Sequence, residues 1–201
     1  MKNSNPPSLR CGFMGLILLT AWMLLGCTTQ LPAKIPVREI PPSESSLANL
    51  FQDRFYRTTV SVGSFTDSRP RAVTADVAGR EMVTESNLGH VLRQAVEKGL
   101  KEHGARTNHF GRLTLQGEIT ELWADVAATA PISEIKATAS IRIMIVDGRE
   151  KVIHRAVYSA QAATRQLFLN EFKIGKTLAL TLGEAVNQAL SDETVIKILN
   201  G

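Results

Sequence analysis

The clearest pattern in the chain is a strict alternation of apolar and polar residues between Ile135 and Ile145. Side chains of a β-strand point in turn to its two faces, so this alternation predicts a strand with one buried and one solvent-exposed face. Half-buried strands of this kind are typical of antiparallel sheets. The expected buried positions are Ile135, Ala137, Ala139, Ile141, Ile143 and Ile145, and the expected exposed ones are Lys136, Thr138, Ser140 and Arg142.

Earlier segments also have the composition or periodicity of strands. The β-branched residues within 55–65 predict a first strand. Residues 113–122 alternate as well, with a change of phase that predicts a bulge near Thr120 or Glu121. The segment 73–82 is ambiguous because glycine and charged residues interrupt its apolar positions, and it leaves room for a short strand.

After the central strand, the chain is expected to turn back on itself. Asp147-Gly148 predicts a hairpin turn. The following segment, 152–164, predicts the return strand. Three of its residues are expected to pack against the rest of the sheet: Ile153, Val157 and Tyr158.

A helical stripe follows the ambiguous segment. Ser86 or Asn87 is the expected N-cap, and Gly104 lies where the helix is expected to end. The apolar stripe suits a helix laid on a sheet. It consists of Leu88, Val91, Leu92, Ala95, Val96 and Leu100.

A second helix is predicted from Asn170 or Glu171 to Leu190. Its stripe consists of Ile174, Leu178, Ala179, Leu182, Val186, Ala189 and Leu190. Residues 194–199 add a short apolar piece, either a helical turn or an edge strand. The predicted fold class is therefore α+β, with a single antiparallel sheet of about four strands covered on one face by two helices, in the order β-α-β-β-β-α.

The N-terminus has a different character. An uncharged apolar run covers residues 12–25, behind a region that contains Lys2 and Arg10. This is the build of a secretory signal peptide, and the run is shorter than the roughly 20 residues of a membrane-spanning helix. Residues 1–26 are therefore predicted to be removed as a signal peptide.

The end of that run resembles a lipobox. The residues Leu24-Leu25-Gly26-Cys27 are similar to the processing site of bacterial lipoproteins, in which a diacylglycerol is attached to the cysteine. The resemblance implies that Cys27 is the first mature residue, joined to the membrane through its acyl chains. Because Thr28 rather than aspartate follows, it also implies retention in the outer membrane, facing the periplasm.

The mature chain then divides into a tether and a domain. Four prolines lie among mostly polar residues up to position 46, so residues 27–46 are predicted to be the lipidated cysteine and a flexible, proline-rich tether. Residues 47–201 are predicted to form one periplasmic α+β domain. Fully extended in a polyproline-like form, the tether would reach roughly 50 Å.

Composition excludes several classes of function. Loss of Lys2 and Arg10 with the signal peptide lowers the formal net charge from +4 to +2, which is too small to indicate a nucleic-acid partner. Cys11 leaves with the signal peptide and Cys27 is acylated, so the domain has no cysteine for a disulfide or a zinc site.

A family resemblance adds to this picture. The lipobox, a strand leading into Val62-Gly63-Ser64-Phe65-Thr66-Asp67-Ser68-Arg69, the first helix, three strands and the closing helix together resemble the YajG-type outer-membrane lipoproteins of Gram-negative bacteria. The local signature is Asp67-x-Arg69. The resemblance implies a location and a fold, and brings no biochemical activity with it.

Few residues point to chemistry. Asp67 and Arg69 form the candidate functional loop, with a local turn or ion pair as the plainer interpretation. Trp123, before Pro131, predicts either an exposed apolar loop or ordinary half-buried packing. The four histidines (His90, His103, His109 and His154) lack metal-binding spacing and are expected to be ordinary surface residues. No catalytic residue, metal or cofactor is predicted.

The favoured function is a non-enzymatic binding or assembly module of the cell envelope, with an envelope protein or polymer as its partner. Two alternatives stay open. One is a partner of an outer-membrane barrel in lipopolysaccharide or polymer export, suggested by similarity of element order alone. The other is a periplasmic enzyme whose site is assembled from residues scattered along the sequence. The oligomeric state is not predicted.

Overall fold

The computed structural model describes residues 33–37, 39–40, 54–55, 58–109, 111–129 and 131–201. Cys27 and the predicted signal peptide lie outside these residues. The described residues form eight strands and three helices. The strands are β1 (Ala33–Ile35), β2 (Thr59–Asp67), β3 (Val73–Val77), β4 (Arg80–Thr84), β5 (Arg106–Thr107), β6 (Leu113–Thr129), β7 (Ile132–Asp147) and β8 (Val152–Gln166), and the helices are α1 (Leu88–Glu102), α2 (Glu171–Ser191) and α3 (Glu193–Asn200).

Three long strands form the main part of the sheet. β7 lies between β6 and β8 and pairs antiparallel with both. The register places Ile141 opposite Ile119 of β6 and Tyr158 of β8. The antiparallel arrangement predicted around the central strand is therefore confirmed for this part of the sheet.

The other edge of β6 is shared by two strands. β2 pairs with its first half in parallel, from Val60 beside Leu113 to Asp67 beside Ile119. β3 pairs in parallel with its second half, where Ala75 lies beside Ala124. A parallel pair needs a long crossover connection, and α1 lies within the connection from β2 to β6.

The predicted four-stranded antiparallel sheet is therefore wrong. Eight described strands form one mixed sheet that curls into a half-barrel, and three helices accompany it. The prediction failed because alternation along one strand shows which of its faces is buried but not the direction of its neighbours. It also missed the hairpin β3–β4, in which Ala78 and Gly79 adopt positive φ angles of 54° and 81° in the turn, within the segment that left room for one short strand.

Several local predictions are confirmed. The β6–β7 register shifts between Ile119 and Glu121, where the change of phase predicted a bulge. Asn87 caps α1 by accepting a hydrogen bond from the backbone N–H of His90 at 3.1 Å. Gly104 follows that helix with φ +90°, and Asn170 caps α2.

The core lies between the sheet and the helices. The predicted apolar face of β7 is buried, and the α2 stripe is buried against it. α1 approaches β2 so closely that a Cβ on Gly89 would come within 2.3 Å of the Phe65 carbonyl oxygen. Any side chain at Gly89 would therefore push the helix away from the strand.

Part of the predicted tether belongs to the domain. β1 pairs in parallel with β4, with Ala33 beside Met82. Ile35, Val37 and Ile40 are buried in the core. The sequence of this segment was interpreted as a linker because its apolar residues are isolated between prolines. These same apolar residues pack in the core and fix the segment to the sheet.

Three predictions about single side chains are also wrong. Ile153 and Val157 of β8, which were expected to pack, are about half exposed, whereas Tyr158 is partly buried as expected. Ser140, which was expected to be exposed, is buried. Its hydroxyl lies 2.9 Å from the Ser159 hydroxyl of β8 and donates to Glu121 Oε2 of β6 at 3.2 Å. Ser140 is buried because these side chains of the two neighbouring strands cover it.

Candidate functional site

The Asp67–Arg69 pair lies beside β6 at the gap between the residues that pair with β2 and those that pair with β3. The Arg69 guanidinium binds the Asp67 carboxylate with two hydrogen bonds, from Nε at 2.8 Å and from Nη2 at 2.7 Å. The Arg69 side chain is only 5% exposed, and that of Asp67 is 33% exposed. This bidentate geometry is the strongest form of an arginine–carboxylate contact.

Arg69 also completes the hydrogen bonding of the sheet at this gap. Its Nη1 donates to the Leu122 carbonyl at 3.3 Å and to the Thr74 hydroxyl at 3.2 Å. The Ser68 backbone N–H donates to the Ile119 carbonyl at 3.0 Å. Between the residues of β6 that pair with β2 and those that pair with β3, the Arg69 side chain supplies a hydrogen bond to the β6 backbone that a neighbouring strand would otherwise supply. This geometry supports a structural role for Arg69. A functional role for this loop stays a prediction.

The exposed face of the sheet has a polar network that sequence reasoning missed. Arg142 of β7 forms an ion pair with Glu118 of β6. The pKa of Glu118 is lowered, first by a hydrogen bond from Ser68 and then by Arg142. The sequence carried no local signal for this pair, because only the register between β6 and β7 places the two charges opposite each other.

A second polar link fixes the corner between α2 and α3. The Tyr158 hydroxyl donates to Asp192 Oδ2 at 2.8 Å, and Asp192 Oδ1 accepts from the Thr194 backbone N–H at 2.7 Å. Asp192 therefore ends α2, caps α3 and binds β8. Its pKa is lowered, chiefly by the Tyr158 hydrogen bond, whereas burial and this contact raise the pKa of Tyr158.

One of the four histidines, His103, is buried, contrary to prediction, and His154 is partly buried. His103 is buried beside the ring of Phe55, with centroids 6.5 Å apart, and burial lowers its pKa. Its Nδ1 and the Nε2 of His154 have no hydrogen-bond partner among the described residues. Within that part of the chain no three metal-ligating side chains converge.

Trp123 does not lie in a loop. It is half-buried on β6, which continues to Thr129. Its side chain shares a sheet face with the polar network, since Trp123 lies opposite Thr138 of β7. The interpretation as half-buried packing therefore holds, and the exposed loop is wrong.

The exposed surface has two unusual features. The first is β8, whose 15 residues pair with β7 on one side and with no other described strand. The second, which we call the apolar tip, consists of exposed large apolar side chains around the end of β8 and the start of α2. Its members are Ile132, Leu167, Phe168 and Phe172.

Comparison with known proteins identifies the family. A family model described as an uncharacterised lipoprotein, Lipoprotein_16, matches residues 52–200. The chain belongs to this family. It is the YajG family that the lipobox and the Asp67-x-Arg69 segment resembled, so the expected relationship is confirmed. Family membership fits a membrane-anchored envelope lipoprotein. No protein with a curated description matches the sequence.

Solved structures from Gram-negative bacteria are distantly similar. A protein from Xanthomonas campestris is 11% identical, with a TM-score of 0.49, over 83% of this chain and 95% of that one. A minor lipoprotein from Acinetobacter baumannii is 8% identical, with a TM-score of 0.43, over 73% and 92%. At this level of similarity no activity or partner transfers to the lipoprotein described here. None of its described helices is long and apolar enough to cross a membrane.

Proposed function

We propose that this family member is an outer-membrane lipoprotein that faces the periplasm and acts as a non-enzymatic binding or assembly module of the envelope. The lipobox at Cys27 and the Thr28 that follows it support the location. Two or three acyl chains hold a protein durably at a bilayer, whereas one holds it only marginally. The domain would then work at the membrane surface.

The edge of β8 that pairs with no other described strand, called its open edge below, is the observation that carries the binding role. A strand with an unpaired edge presents a row of backbone N–H and C=O groups, which an extended segment of another protein can pair with. β8 is 15 residues long and contains no proline. Natural edge strands are commonly short or interrupted, so an open edge of this length suits a partner strand.

Charge narrows the class of partner. β8 contains Arg155 and Arg165 and no acidic residue. Arg165 Nε lies 3.8 Å from Glu134, while its side chain is 80% exposed. We therefore propose an extended, acidic segment of an envelope protein as the occupant.

The polar groups of the domain support binding better than catalysis. Arg69, Glu118 and Asp192 are each engaged in contacts that join neighbouring elements. A catalytic acid or base needs hydrogen-bond reach to a substrate, which these engaged side chains do not offer. An assembly module needs only an accessible surface and the anchor.

Crosslinking in cells tests the edge. A photo-crosslinking amino acid replaces Gln161, which is exposed on β8, or Gln94, which is exposed on α1. The expected result is an adduct with a discrete envelope protein from position 161 and none from position 94. Equal adducts at both positions, or an adduct with a polysaccharide alone, would contradict strand pairing as the mode of binding.

The anchor is tested separately. A form secreted without acylation is expected to fail to complement a deletion phenotype at native expression and to recover when strongly overproduced. Anchoring raises the effective concentration near a membrane partner, and mass action restores binding when the free domain is abundant. Full complementation by the soluble form at native level would instead indicate a diffusible substrate and an enzyme.

A further inference from the structure

The apolar tip is an exposed cluster at one end of the sheet. Leu167, Phe168 and Phe172 are 65%, 79% and 67% exposed, and Ile132 is 48% exposed. They share one end because Ser133 pairs with Gln166, which brings the start of β7 beside the end of β8. Contiguous patches of exposed apolar side chains mark contact surfaces, whereas exposed apolar side chains that are scattered singly are ordinary.

The fold holds the tip in place. Phe172 lies in the first turn of α2, which is capped by Asn170. Lys173 Nζ donates to the Phe168 carbonyl at 2.6 Å, and the side chain of Leu169 packs against the core. The apolar side chains are therefore presented on a fixed backbone.

The chain enters the domain at this same end. Ala33, the first residue of β1, pairs with Met82. Met82 lines a cavity of about 260 Å³ together with Leu169 and Glu171, which lie beside the tip. Further along, Pro36 contacts α2 at Gly175, one turn beyond Phe172, so β1 runs away from the tip.

The distance to the anchor is short. Five residues lie between Cys27 and Ala33, and the six Cα–Cα steps of this stretch span about 20 Å when fully extended. The tether predicted to reach roughly 50 Å is shortened because β1 belongs to the domain. An acylated Cys27 would thus keep the tip end of the domain near the bilayer.

We propose that the apolar tip inserts into the lipid headgroup region beside the acyl anchor and so fixes the orientation of the domain on the membrane. This proposal rests on the anchored location proposed above. Exposed phenylalanine and leucine side chains suit the boundary between headgroups and acyl chains. The basic residues Arg80 and Lys176 near the tip are exposed and can meet lipid phosphates. The acidic residues of the same region are Glu81, Glu134 and Glu171.

The test uses the lipidated mature protein in phosphatidylethanolamine–phosphatidylglycerol vesicles. Because Cys11 is removed with the signal peptide and Cys27 is acylated in this form, a polarity-sensitive dye labels only an introduced thiol, at Ile132→Cys in the tip or Gln94→Cys on α1. Nitroxide-bearing lipids are expected to quench the dye at position 132 at least about twofold more than at position 94. Adding Phe168→Asp to the tip reporter should reduce its quenching to the level of position 94, whereas adding Gln94→Asp should leave it unchanged.

Other outcomes overturn the proposal in distinguishable ways. Equal quenching at both positions, in protein that is recovered with the vesicles, refutes insertion of the tip and leaves the anchor intact. Shielding of position 132 that rises with protein concentration and is insensitive to nitroxide lipids assigns the tip to a second copy of the chain. If the purified mature protein is found to carry no acyl chains and does not bind the vesicles, both the tip contact and the proposed membrane location are refuted. Because the Phe168 side chain is 79% exposed, its replacement should leave the fold intact, which a thermal melt checks.

Discussion

Replacing Arg69 by alanine should destabilise the fold rather than remove an activity. The change deletes four hydrogen bonds of one buried side chain, two to Asp67 and one each to Leu122 and Thr74. The Leu122 carbonyl then loses its donor at the gap between β2 and β3. A group left unsatisfied in this way costs about 1–3 kcal/mol.

The carboxylate adds a smaller contribution. Breaking a fully buried ion pair costs about 3–5 kcal/mol, but water can reach Asp67, which is a third exposed, and replace part of the interaction. The expected loss in the free energy of unfolding is therefore about 2–4 kcal/mol. For a domain of this size, the melting temperature should fall by roughly 5 to 15 °C.

Two control variants make the test specific. Arg69→Lys keeps the charge but loses the bidentate geometry, so most of the destabilisation should remain. Arg71→Ala, at an exposed arginine two residues away, should change stability by less than about 0.5 kcal/mol. The measurement is thermal unfolding of the lipidated protein in mild detergent, followed by circular dichroism. An Arg69→Ala protein that melts like wild type but fails to complement would refute the structural role and assign a functional site to the loop.

Three further predictions concern the anchor, the core and the response to acid. Cys27→Ala should abolish metabolic labelling with a fatty acid and leave an uncleaved precursor; label retained by the variant would contradict the lipobox. Ile141→Ala should lower the free energy of unfolding by about 2–5 kcal/mol because it opens a cavity in the core. Ser140→Ala should lower it by about 1 kcal/mol through its lost hydrogen bonds. Equal losses in denaturant melts would contradict the assignment of Ile141 to the core face of β7. The pKa of Asp192 is lowered in the folded state, so its contribution is present above the unfolded pKa of about 3.9 and is lost as pH falls through the folded value. Tyr158→Phe should therefore reduce the drop in melting temperature between pH 5 and pH 3, and an unchanged drop would show that this hydrogen bond does not set the pKa.

The sequence by itself determined the structural features that depend on residues close to one another in the sequence. The alternation through Ile141 identified the buried face of β7. The start signals at Ser86 or Asn87 and at Asn170 or Glu171 identified to within one residue where the first two helices begin. The phase change near Thr120 located the bulge. Periodicity, capping and turn chemistry are local, so they can be read without knowing which strand lies beside which.

Only the tertiary structure decided the features that depend on pairing between distant segments. The parallel pairing of β2 and β3 along one edge of β6, the place of β1 beside β4 and the burial of Ser140 depend on neighbours far along the chain. Asp67 and Arg69 show the same division. Their sequence suggested a candidate functional loop, with a local turn or ion pair as the plainer interpretation. The contact with the Leu122 carbonyl exists because β2 ends where β6 bulges. A local pattern fixes the face of a strand, whereas the packing of the whole sheet chooses its neighbours.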